Sequence, residues 1–156
     1  MSAVTTGVYP CYENQFKIGA ADATELNPIA DAVTFSVSFN DGVEEWNPFD
    51  QEGWTRRLKT SKSVNVSVTA KRNVGDSGND YVASLAFKNG REAEVKFQWD
   101  FPDGTKVIFN NAVLVISALG AGDSTAVAPL EFEIQSNGKV DVTLPTSLNK
   151  GEINNG

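Results

Sequence analysis

Side chains able to do chemistry are few in this chain of 156 residues, and they do not gather. There is no histidine, which removes the commonest general base and most zinc and triad chemistry with it. The single cysteine, Cys11, has neither a histidine to activate it nor a partner for a disulfide, and reads as inert. Asp76, Asn79 and Asp80 offer oxygen ligands, but calcium needs six to eight oxygens and the spacing is not that of an EF-hand loop. A helix-capping turn accounts for them better. Asp22, Glu25 and Asp31 form no recognisable acid–base pair. No nucleophile elbow and no glycine-rich phosphate loop is present. Composition leaves a paired-carboxylate glycosidase open, yet no spacing supports one. The expectation is a protein that is not an enzyme and needs no cofactor or metal.

Elements must therefore carry the function, and they are strands. Val33, Phe35, Val37 and Phe39 alternate with Thr34, Ser36 and Ser38, a half-buried strand that Asn40-Asp41-Gly42 is expected to end. Val64, Val66, Val68 and Ala70 face one way, while Asn65, Ser67 and Thr69 face the other. Residues 43–60 between them read as a long inter-strand loop. It carries Trp46, Phe49 and Trp54, with an acidic first half (Glu44, Glu45, Asp50, Glu52) and a basic second half (Arg56, Arg57, Lys59). Aromatics and Arg are enriched in interface cores, so this loop is a candidate contact between copies of the chain. The alternative is that the tryptophans fold back on their own domain.

One helix interrupts the strands. Asn79 is the expected N-cap, Asp80 lies in the first turn, Tyr81, Val82, Leu85 and Ala86 share a face, and Asn89-Gly90 supplies the left-handed stop. Strand signals resume with Val95, Phe97 and Trp99, then the Pro102-Asp103-Gly104 turn. Residues 105–119 form a long strand with an expected interruption at Asn110-Asn111. Leu130, Phe132 and Ile134 lead into the Asn137-Gly138 hairpin turn, and Val140, Val142 and Leu144 return. Residues 1–30 read as an N-terminal arm or first strand and 146–156 as a flexible C-terminal tail, the whole chain being one domain.

Charge narrows the partners. A formal net charge of −7 argues against a duplex-DNA binder, which needs clustered cations. No apolar run is long enough to span a membrane, and no secretory signal is visible at residues 1–16. With one cysteine and no disulfide framework, a reducing cytoplasm is the expected compartment during folding.

Four segments, in this order and spacing, resemble the major tail tube proteins of long-tailed bacteriophages. They are the W-x-R-R…S segment (Trp54 to Ser63), the A-K-R…G-D…N-D turn into the helix (Ala70 to Asp80), the W-x-x-P-D-G hairpin (Trp99 to Gly104) and the P-L-E-F-E…N-G-K strand pair (Pro129 to Lys139). The segments run from Trp54 to Lys139, and the resemblance takes in roughly residues 30–142. The resemblance implies a mainly β domain, a sandwich or half-barrel with one short flanking helix, whose strands join an inter-subunit β-barrel. It implies hexameric rings stacked into a tube around a tape-measure protein, tail terminator and baseplate or tip proteins as partners, and later passage of DNA through the lumen. It places the protein in the virion tail, assembled in the host cytoplasm, and does not separate contractile from non-contractile tails.

In that setting Ser36, Ser38, Asn65, Ser67 and Thr69 would line the lumen, against the alternative of an ordinary solvated face. Glu94, Asp100, Glu131, Glu133 or Asp141 turned the same way would repel phosphate within about 8–10 Å. Trp46, Phe49, Trp54, Arg56 and Arg57 would form the inter-ring contact. The competing class is a carbohydrate-binding or immunoglobulin-like module, with Trp46, Trp54 and Trp99 stacking on sugar rings.

Overall fold

Alternating apolar residues produce strands here, and the strands join into one antiparallel sheet. The computed structural model describes residues 7–145; the expected tail at 146–156 and the first six residues of the expected arm lie outside it. Eight strands follow in chain order: β1 (Gln15–Ala20), β2 (Asn27–Pro28), β3 (Ala32–Trp46), β4 (Arg56–Lys71), β5 (Glu94–Asp100), β6 (Lys106–Leu119), β7 (Pro129–Ser136) and β8 (Val140–Thr143). Among the described residues the one α-helix, α1 (Ser77–Ser84), lies between β4 and β5. The order across the sheet is β2-β1-β5-β6-β7-β4-β3, with β8 pairing β6 beside β7.

The sheet is folded over on itself. Phe16 on β1 and Phe35 on β3 sit near opposite ends of the strand order, yet their ring centroids are 4.8 Å apart. Phe35 also packs edge-on against Trp99 of β5, and Phe97 bridges Phe16 and Phe109. Between the two halves lies the core: Ile18, Val66, Val68, Ala70, Val95, Phe97, Phe109, Leu130, Phe132 and Ile134 are all buried. These are the inward positions that strict alternation identifies. The architecture is the expected mainly β domain with one short helix, built as one antiparallel sheet folded over on itself.

β6 is a single strand through Asn110-Asn111, where an interruption was expected. The register with β5 shifts at that point, between the Val95–Ala112 and Phe97–Phe109 pairs. The neighbour on β6's other side also changes there, from β8 (Lys106–Phe109) to β7 (Ala112–Leu119). The two asparagines mark a β-bulge, which bends a strand without ending it.

Candidate assembly surface

The segment read as a loop at 43–60 is mostly strand. β3 does not stop at Asn40-Asp41-Gly42 but runs on to Trp46, and β4 begins at Arg56, so only residues 47–55 connect them. Local turn propensity lost to cross-strand pairing. Gly42 has a role other than a turn: a Cβ there would collide with the Ser61 hydroxyl, and the register shifts beside it, between the Gly42–Ser61 and Val43–Lys59 pairs.

β7 covers only Asn65–Lys71 of β4. Beyond that point the β3–β4 hairpin is a two-stranded ribbon whose ladder partners, among the described residues, are its own two strands. Its faces differ. Directly opposed residues share a face, so Asp41, Val43 and Glu45 stand with Lys62, Lys59 and Arg57 on one side. Glu44 and Trp46 stand with Leu58 and Arg56 on the other. On the charged face, Arg57 Nε donates to Glu45 Oε1 at 3.0 Å, and Lys59 Nζ lies 3.0 Å from Asp41 Oδ2. On the apolar face the Arg56 guanidinium lies 5.9 Å from the centre of the Trp46 ring.

The ribbon tip is held by Asn47, whose amide donates to the Gly53 carbonyl (3.1 Å) and to Thr55 Oγ1 (3.0 Å). A 3-10 turn at Phe49–Gln51 and left-handed Glu52 complete it. Phe49 is fully exposed there and Trp54 is 76% exposed. Trp46, Phe49, Trp54, Arg56 and Arg57 therefore all lie at the far end of one ribbon. Phe39, Val43 and Leu58, exposed along its length, belong with them and were not singled out from the sequence. Their signal was the continuing alternation of β3 past Gly42. Trp99 is elsewhere: half-buried, its indole N–H donates to Asn14 Oδ1 at 2.8 Å and its ring packs on Phe35 and Phe101. The three tryptophans do not make one sugar-stacking platform.

Behind the core, the outward sheet face carries the other candidate residues. Ser36 opposes Ser67, Ser38 opposes Asn65, and Thr34 opposes Thr69. The rows continue onto β7, where Asn65, Ser67 and Thr69 oppose Gln135, Glu133 and Glu131. Ser67 Oγ lies 3.4 Å from Glu133 Oε2, and Glu133 also accepts from the Gln135 amide at 2.7 Å. All five expected residues thus share one small, polar, uncharged field, bordered by carboxylates.

The helix is anchored differently from expectation. Asp76, not Asn79, is the N-cap: its carboxylate accepts from the Asn79 N–H (3.0 Å) and from the Ala30 N–H (3.1 Å). Both residue types cap well, and the cap falls where the chain leaves the helical conformation. Asn79 is instead fully buried. Its amide donates to the Lys71 and Ala30 carbonyls, and its oxygen accepts from Arg72 and from the Asn73 N–H. Arg72 reaches Asp80 at 2.8 Å. That hydrogen bond, then the Gly75 N–H, holds the Asp80 carboxyl below its ordinary pKa. Gly90 has a positive φ of 62°, but it opens a 3-10 turn (Gly90–Ala93) and does not stop α1, which ends at Ser84 with Leu85 as its C-cap. Among the described residues, no three His, Cys, Asp or Glu side chains gather as a metal site.

No protein-family profile matches the chain, and no curated protein sequence does. Solved structures do. One is from the tail of an empty gene transfer agent particle, determined with C6 symmetry: TM-score 0.69, 20% identity, 88% of this chain and 100% of that chain covered. A second, from the baseplate of the anti-feeding prophage, has TM-score 0.57 at 12% identity over 92% of this chain and 97% of that chain. A third, from the sheath-tube complex of an extracellular contractile injection system, has TM-score 0.50 at 14% identity, covering 88% and 93% of the two chains. The fold is therefore one found in proteins of phage-like tails, as the resemblance to tail tube proteins implies.

Proposed function

We propose that this protein is a non-enzymatic structural subunit of a phage-like tail, assembling with copies of itself into stacked hexameric rings that form the tail tube. The observation that carries this reading is the match in fold to the tail of the gene transfer agent particle, over the whole of that chain. The surface agrees with it. The ribbon and the outer edge of β3 present unpaired backbone groups and exposed aromatics that a lone soluble domain avoids. A closed multi-subunit barrel removes such edges.

In this assembly the ribbon tip, with Trp46, Phe49, Trp54, Arg56 and Arg57, contacts the next ring. The polar field of Ser36, Ser38, Asn65, Ser67 and Thr69 lines the lumen, with Glu131 and Glu133 repelling the phosphate of passing DNA. A tape-measure protein fills the lumen before DNA does, and terminator and baseplate proteins close the ends. Negative-stain microscopy of the purified chain at high concentration, with and without a preassembled seed, tests the reading. Rings or tubes are expected; a strict monomer under all conditions overturns it.

A further inference from the structure

The ribbon's two strands carry opposite charge, and both outer edges are open. Every charged residue of β3 is acidic: Asp41, Glu44 and Glu45. Every charged residue of β4 is basic, and four of them, Arg56, Arg57, Lys59 and Lys62, lie on the part that β7 leaves unpaired. The segregation stands out in a chain whose net charge is −7. Two cross-strand ion pairs use part of this charge, but three of their four side chains stay largely exposed, at 63% and 54% for Arg57 and Glu45 and 57% for Lys59, with Asp41 at 30%. Exposed pairs of that kind do little to hold a ribbon together. Glu44 and Lys62 take part in no ion pair of 4 Å or less among the described residues.

Symmetry gives the segregation a use. Rotation about a ring axis leaves every copy's ribbon pointing the same way. The strand order around the ring is then β3, β4, β3, β4, with antiparallel neighbours throughout. The open β4 edge of one copy meets the open β3 edge of the next, a head-to-tail contact of the kind that closes into rings. At a strand spacing of about 4.8 Å, the acidic row of each copy then lies between two basic rows, its own and its neighbour's. Inverting a copy sets like charges side by side, and slipping the pairing leaves charges without an opposite one across from them.

On the reading that the chain assembles into rings, we infer that the acidic β3 edge and the basic β4 edge of the ribbon form a charge-coded lateral seam between neighbouring copies. The seam selects a second copy of this chain, fixes its orientation and makes assembly sensitive to salt. The ribbon thereby gains a lateral role distinct from the stacking contact at its tip.

Two charge-reversed full-length variants test this. R56E/R57E/K59E has acid on both strands, and D41K/E44K/E45K has base on both. Circular dichroism first confirms that each keeps the β-sheet signal. Each variant alone is expected to lose assembly in light scattering and microscopy, because its open edges repel. Mixed one to one, they are expected to recover it: neighbours alternate, every seam is again acid against base, and an even-numbered ring closes. The mixture is decisive, since the charges within each ribbon stay like-signed. For the unmodified chain, the concentration needed for assembly is expected to rise about tenfold between 50 mM and 1 M NaCl, as the Debye length falls to about 3 Å.

Recovery only in a variant carrying all six reversals together would show that the charges act within the ribbon, and would overturn the seam. So would single variants that assemble normally. Salt-sensitive binding of a short DNA duplex, lost in R56E/R57E/K59E while that variant assembles normally, would reassign the basic strand to nucleic acid. If the unmodified chain forms no assemblies at any salt concentration, it is the ring reading itself that fails.

Discussion

Asn79 shows how much a single buried amide can hold. It satisfies two backbone carbonyls, one backbone N–H and an arginine, joining the segment before β3, the end of β4 and the start of α1. Asn79→Ala strands these groups without water. Each unsatisfied buried group costs about 1–3 kcal/mol, so a loss of about 2–4 kcal/mol is expected in urea unfolding after partial relaxation. Asp76→Ala removes the cap and the bond to Ala30, with an expected loss of about 1–2 kcal/mol. Asp80 adds a pH dependence. Its pKa is lowered in the folded state, so its contribution is complete above the ordinary value of 3.8 and disappears as pH falls through the lower, folded one. The unfolding midpoint of the unmodified protein is expected to drop more steeply below pH 4 than that of Asp80→Asn. Parallel curves would mean that the Arg72 pair is not coupled to folding. The sequence showed that capping chemistry sat here but misassigned it, because Asp76 and Asn79 are equally good caps and only the backbone path separates them.

At the level of elements, alternation carried most of the information. It placed the core faces of β4, β5 and β7 and the polar field opposite them, because period-2 patterning maps directly onto a pleated sheet. It failed where two strands outrun the sheet. Asn40-Asp41-Gly42 has turn composition, and what overrides it is pairing with Lys62 and Ser61 across the ribbon, which no local window contains. The sign reversal of charge between residues 41–45 and 56–62 was the available clue to that pairing. Replacing Trp46 and Trp54 together with Ser should leave stability within about 0.5 kcal/mol, since both lie on the exposed ribbon. The same variant should fail to form tubes of normal length. Normal tubes would remove the ribbon end from the stacking contact. The helix is held more tightly: a Cβ on Gly78 would collide with the Pro28 carbonyl, so Gly78→Ala should lower the thermal midpoint by shifting α1 off β2.

For the whole molecule, one folded-over sheet serves two surfaces at once. Its inner face closes on Phe16, Phe35, Phe97 and Phe109, so aromatic contacts across the core tie the two ends of the strand order. Phe97→Ala, at the centre of this cluster, should cost about 3–5 kcal/mol in denaturant unfolding. A markedly smaller loss would show that the two halves are held together by something else. This closure was only partly legible: the residues were readable as core, but which distant strands they join is set by topology.

The ribbon also has a temporal consequence. A hairpin without neighbours is marginally stable in water, so in the free subunit the ribbon should open locally many times before the domain unfolds. Its amides should exchange with solvent quickly while those of β4 beyond Asn65 stay protected. In the proposed tube, addition to a growing end then completes the folding of the incoming chain. The cost of ordering falls on the first few copies and becomes smaller for each that follows. On that proposal a dilute pool of subunits is expected to persist unpolymerised until a nucleus supplies the ordered edge, with the delay before assembly set by the length of one hairpin.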